Sequence, residues 1–94
     1  MNYEERCASA SKAQGIDEIV TALSSLGIKA TSEQTGGFTM CAYVELSGNK
    51  YIYANPYGAG LYDEDGYIAD ITQHDEETTP QAIAQAVKNY IDKN

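Results

Sequence analysis

Phe38-Thr39-Met40-Cys41-Ala42-Tyr43-Val44-Glu45-Leu46-Ser47 places an apolar side chain at every second position. Phe38, Met40, Ala42, Val44 and Leu46 fall on one face, and Thr39, Cys41, Tyr43, Glu45 and Ser47 on the other. A period of two is that of a β-strand with one buried face. Gly48-Asn49 follows as a hairpin turn signal, and Lys50 to Ala54 reads as the return strand. A two-residue loop at Gly48-Asn49 pairs Leu46 with Tyr51 and Val44 with Tyr53, which sends both tyrosines to the core face. A loop one residue longer pairs Leu46 with Ile52 and puts Tyr51 and Tyr53 beside Tyr43 on the outer face. One slip reverses every side chain. The Gly-Asn turn favours the two-residue loop.

Upstream, Ile28 to Gln34 alternates weakly and Gly36-Gly37 marks a turn. Before it, Ile16, Ile19, Val20, Leu23 and Leu26 follow a 3.6-residue period and form the apolar stripe of a helix. Gly27 suits the C′ position of that helix, with Ile28 as the hydrophobic partner of a Schellman-type stop. Asn2 suits an N-cap, with Glu5 three residues later. Residues 3–14, before Gly15, read either as a separate helix or as the start of one bent helix.

Downstream, Asn55-Pro56-Tyr57-Gly58-Ala59-Gly60 reads as a loop or a broken strand, because proline lacks a ladder donor and glycine weakens pairing. Leu61-Tyr62 and Tyr67 to Ile71 form a second hairpin around Asp63-Glu64-Asp65-Gly66. Thr79 as N-cap and Pro80 at N1 open a last helix, whose apolar positions are Ile83, Ala86, Val87, Tyr90 and Ile91. The order predicts one α+β domain over residues 1–94. It is a two-layer sandwich: an antiparallel sheet of three to five strands, packed on one face by an N-terminal and a C-terminal helix. The other face is left for water or a partner. In the favoured register it carries Thr39, Cys41, Tyr43, Glu45, Ile52 and Ala54, and Tyr43, Glu45 and Ile52 are its candidate homodimer contacts.

The 94 residues include 14 Asp+Glu against 6 Lys+Arg, a net charge of -8. That balance argues against direct binding to nucleic-acid phosphates or to an anionic membrane. The acid is uneven: residues 51–94 carry a net -6, against -2 for residues 1–50. No Lys or Arg occurs between Lys50 and Lys88, and that gap holds Asp63, Glu64, Asp65, Asp70, Asp75, Glu76 and Glu77. Tyr57, Tyr62 and Tyr67 are interleaved with them. With 8 Tyr, 1 Phe and no Trp, the aromatic content is almost all of the kind enriched at interfaces. The acids and these three tyrosines are the predicted surface for a basic partner.

Motifs for chemistry fail their tests. An EF-hand with Gly66 at loop position 6 needs carboxylates at Leu61 and Thr72. His74 lies in a polar stretch, whether it is paired with Asp70 and Glu77 or with Cys41. Gly58-Ala59-Gly60 lacks the Lys and Ser/Thr of a P-loop. The expectation is a non-enzyme without metal or cofactor. The acidic N-terminus without an apolar stretch behind it, and two cysteines in no C-x-x-C pair, predict a cytoplasmic protein with reduced thiols.

In size, acidity, the acid cluster of residues 63–77 and the lack of catalytic motifs, the chain resembles the small phage-encoded anti-CRISPR proteins. The resemblance implies an inhibitor that blocks a CRISPR effector by mimicking or excluding DNA. The chain is also similar to small acidic immunity proteins that neutralise bacterial nuclease toxins. A third reading is a homo-oligomeric accessory domain that pairs through its uncovered sheet face.

Overall fold

A computed structural model describes residues 3–36 and 39–93, apart from the side chains of Tyr3, Glu4, Cys7 and Ala8. The Asn2 cap, Gly37 and Phe38 lie outside the described residues. The elements run α1 (Tyr3–Ala13), α2 (Ile16–Ser25), β1 (Thr31–Gly36), β2 (Thr39–Glu45), β3 (Tyr51–Asn55), β4 (Gly58–Asp63), β5 (Gly66–Gln73) and α3 (Pro80–Lys93). The five strands form one antiparallel meander in the order β1-β2-β3-β4-β5. The three helices share one face of it. α2 lies against β1, β2 and β3, while α3 lies against β4, β5 and α2. This is the expected α+β architecture.

Gly15 divides the N-terminal helical region in two, because its φ of 75° is left-handed and ends helical geometry. α2 ends in a full Schellman motif: Ile28 N–H donates to the Leu23 carbonyl and Gly27 N–H to the Ser24 carbonyl, both at 3.0 Å. Thr79 caps α3, its Oγ1 accepting from Ala82 N–H at 3.1 Å.

The core is built from Ile16, Ile19 and Leu23 of α2, Ile83, Ala84 and Val87 of α3, and the inner faces of β2, β3 and β4. Each large aliphatic side chain fully buried there stabilises the fold by about 1.5–3 kcal/mol. A polar chain crosses between the layers. Ser32 Oγ donates to Ser11 Oγ at 2.7 Å, and Ser11 Oγ donates to Asp17 Oδ1 at 2.6 Å, so buried Ser11 keeps its hydrogen bonds.

The first hairpin corrects the favoured register. Val44 pairs with Ile52, Tyr43 with Tyr53 and Glu45 with Tyr51, and Leu46 N–H donates to the Lys50 carbonyl at 2.8 Å. Gly48 and Asn49 do take positive φ, 73° and 62°, but Ser47 joins them in the loop. The slip turns Ile52 and Ala54 inward, where they are 0% and 1% exposed. Ile52 therefore cannot be a dimer contact. The energetic reason is plain: an aliphatic Ile gains more from burial than a Tyr whose hydroxyl must find a partner.

Residues 55–60 are the broken strand of the two alternatives: β3 ends at Asn55 and β4 begins at Gly58. Asn55 pairs with Gly58 across a two-residue Pro56-Tyr57 turn, and Asn55 Oδ1 accepts from Tyr57 N–H at 2.8 Å. Proline sits in the turn, where no ladder donor is needed. β5 carries two irregularities opposite β4, at Ile71 and at Ile68.

Candidate functional site

The ladder registers arrange the outer sheet face in cross-strand rows. One row runs Thr31, Tyr43, Tyr53, Gly60, Asp70, and the next runs Glu45, Tyr51, Tyr62, Tyr67. Beside them, Glu33 pairs with Cys41, and Gly58 pairs with both Asn55 and Gln73. Directly opposed residues share a face, so five tyrosines from four strands meet on one surface. Their rings form a connected set, with neighbouring centroids 5.1–5.8 Å apart. Tyr51 and Tyr62 stack with an interplanar angle of 9°, and Tyr62 meets Tyr53 edge-on at 61°.

Carboxylates border the rings. Glu45 flanks Tyr51, Glu33 lies beside Cys41, and Asp70 ends the row through Tyr53. Hydrogen bonding to the Asp70 carboxylate holds the Tyr67 phenol above its ordinary pKa. Desolvation raises Tyr53 and Tyr43, helped by the negative charge of Glu33 in both cases and of Glu45 for Tyr43. These hydroxyls stay protonated at neutral pH and keep both donor and acceptor capacity. Cys41 is a free thiol, and burial raises its pKa against hydrogen bonds to Thr35 and Asn55. A raised thiol pKa suits an unreactive cysteine, not a nucleophile.

Where β4 has Gly58 and Gly60, the outer face dips into a shallow depression of about 400 Å³. Tyr53, Tyr57 and Tyr62 line it with Asp70, Thr72 and His74. The Tyr62 ring leans over Gly60: a Cβ there would sit 3.2 Å from Tyr62 Cε1. His74 Nε2 is 3.1 Å from Thr72 Oγ1, and His74 N–H donates to the Tyr57 carbonyl at 2.8 Å. Among the described residues, no group of three His, Cys, Asp or Glu side chains is placed to hold a metal ion.

The predicted acidic surface is split in two. Asp63, Glu64 and Asp65 form the tight β4–β5 turn, where Asp63 Oδ1 accepts from Asp65 N–H at 2.8 Å. Asp75, Glu76 and Glu77 follow β5 at the opposite end of the hairpin, beside Pro56, to whose carbonyl Thr78 N–H donates at 2.8 Å. The length of β4, roughly 17 Å at strand rise, separates them. Asp70 lies between, on the tyrosine face. Tyr62 and Tyr67 belong to that face, and Tyr57 stands exposed in the β3–β4 turn. Of the three candidate dimer contacts, Tyr43 and Glu45 are on the outer face.

The sequence gives no sign of Glu33, and it places Tyr51 and Tyr53 on this surface only in the less favoured register. The signal was Asn55: it shares parity with Tyr51 and Tyr53, whereas the alternate positions, Ile52 and Ala54, carry no polar atom.

A second hollow, of about 620 Å³, lies between α2 and α3 and has Ala22, Leu26, Pro80 and Ala84 among its lining. It contains none of the predicted site residues. No described helix is long and apolar enough to cross a membrane.

Comparisons with protein-family models, curated proteins and solved structures find no match to the chain.

Proposed function

We propose that this protein is a small acidic inhibitor that binds a basic surface of a nucleic-acid-handling protein complex through its tyrosine face. The supporting observation is the five-ring surface bordered by Glu33, Glu45 and Asp70 on strands in which no described residue is Lys or Arg. Rings of this kind supply buried area while their hydroxyls stay hydrogen-bonded, and the carboxylates select a cationic partner and speed its approach. Proteins that grip nucleic acid present such surfaces, lined with Lys and Arg. CRISPR effectors and nuclease toxins both belong to this class. A second copy of the chain is a poorer match, because it brings another -8 of charge to the same carboxylates.

The test is inhibition. The purified protein is titrated into DNA cleavage by purified CRISPR effectors and by nuclease toxins, at low and high salt. The expected result is stoichiometric inhibition of one of these enzymes, weakened by salt and lost in a Tyr51→Ala/Tyr53→Ala variant that remains folded. Failure to inhibit any of them, together with salt-resistant self-association through the tyrosine face, overturns the proposal and favours a homo-oligomeric accessory role.

A further inference from the structure

The depression at Gly58 and Gly60 has a composition unlike the rest of the face. Its floor at Gly58 is backbone alone, while at Gly60 the Tyr62 ring lies over the backbone. Two of its walls, Tyr53 and Tyr62, are rings already held against one another edge-on at 5.3 Å. Asp70 is its one carboxylate, and no Lys or Arg lines it. Asp70 stands directly opposite Gly60 on β5, as Tyr53 does on β3. An open site with flat aromatic walls and a single carboxylate suits a flat cation. A guanidinium can stack on a tyrosine ring while its N–H groups point outward to a carboxylate. An ammonium is more strongly hydrated and cannot stack in this way.

We propose that this depression is an arginine-binding notch, in which a guanidinium stacks against Tyr53 and Tyr62 and pairs with Asp70. The idea deepens the reading of the tyrosine face as a surface for a basic partner and rests on it, since the arginine is the partner's. The notch itself can be probed without that partner.

The probe is N-acetyl-arginine-methylamide, titrated into the full chain and followed by amide chemical shifts. The matched lysine derivative and the citrulline derivative, a neutral isostere of arginine, serve as controls. Saturable shifts are expected at Gly58, Gly60, Asp70 and Thr72 with the arginine probe. Binding of the lysine and citrulline probes should be weaker by about threefold or more, the scale of an exposed cation–π contact. Asp70→Asn keeps an acceptor for Tyr67 and should reduce the arginine probe to the citrulline level, with the remaining spectrum unchanged. A second variant, Tyr62→Leu, should weaken the arginine probe more than the citrulline one. Equal binding of arginine and citrulline, equal binding of arginine and lysine, or shifts confined to other residues overturns the notch. That outcome is separable from failure of the inhibitor reading: enzyme inhibition without arginine binding removes only the notch. Arginine binding without inhibition of any enzyme removes only the inhibitor.

Discussion

Tyr51 and Tyr62 face each other directly across the β3–β4 ladder and stack with centroids 5.7 Å apart and planes 9° from parallel. The pair sits on the solvent side of the sheet, yet it does structural work by joining two strands where β4 offers little else. Gly58 and Gly60 leave Tyr62 as the side chain on that face of β4 that can cross to β3. An aromatic pair of this kind contributes roughly 0.5–1.5 kcal/mol beyond its buried area. A double-mutant cycle with Tyr51→Leu and Tyr62→Leu, read by urea unfolding, should return a coupling of about that size. Additive losses would show that the rings only share a surface.

The hairpin register can be checked by stability alone. Ile52 is fully buried and Tyr53 faces outward. Ile52→Ala should cost about 2–5 kcal/mol, comparable to the whole stability of a domain this small. Tyr53→Ala should cost clearly less and leave a cooperative transition. The reverse ranking in chemical denaturation would restore the two-residue loop.

Gly58 has a steric reason to be glycine. A Cβ there would meet the Thr72 carbonyl oxygen at 2.5 Å and the Gln73 Cα at 3.2 Å, both of them backbone atoms. Gly58→Ala should therefore push β5 from β4 and cost about 1–3 kcal/mol, the range for overpacking. Gly48→Ala is the control, since nothing lies within 4 Å of its Cβ and only the φ of 73° opposes it. It should cost about 1 kcal/mol. Thermal melts of the two variants give the comparison.

The tyrosine face should weaken in alkali. Tyr67, Tyr53 and Tyr43 have folded pKa values raised above the ordinary value. A raised phenol pKa favours the folded, protonated state. This stability is fully present below the unfolded pKa, about 10, and is lost as pH rises through the raised folded values. Absorbance titration of the phenolates should therefore show late ionisation, and the urea midpoint should fall across the same window. Asp70→Asn removes the negative charge beside Tyr67 and should bring that phenol back toward its ordinary value. An unchanged titration curve would separate Tyr67 from Asp70.

Much of the backbone plan was legible in the sequence. The alternation of residues 38–47 is confirmed over the described part of β2. Gly27-Ile28 stops α2, and Thr79-Pro80 starts α3. These signals are local: a cap, a stop and a period of two are set by residues within a few positions of one another. The acid run of residues 63–77 was legible as charge but not as a shape. The β4–β5 hairpin places the two ends of the run at opposite ends of its strands, and only Asp70 stays on the tyrosine face.

By itself the chain determined its strand and helix periods, the stop of α2, the start of α3 and its excess of carboxylate, because each is set by local pattern or by composition. Tertiary structure alone decided which way Tyr51 and Tyr53 point. Both hairpin registers satisfy the same turn residues, and a shift of one position exchanges the two faces of β3. The choice was made by α2 and α3, whose apolar stripes give Ile52 and Ala54 a core to enter. The same choice gathered five tyrosines on the opposite face, where residues far apart in the chain became a single surface.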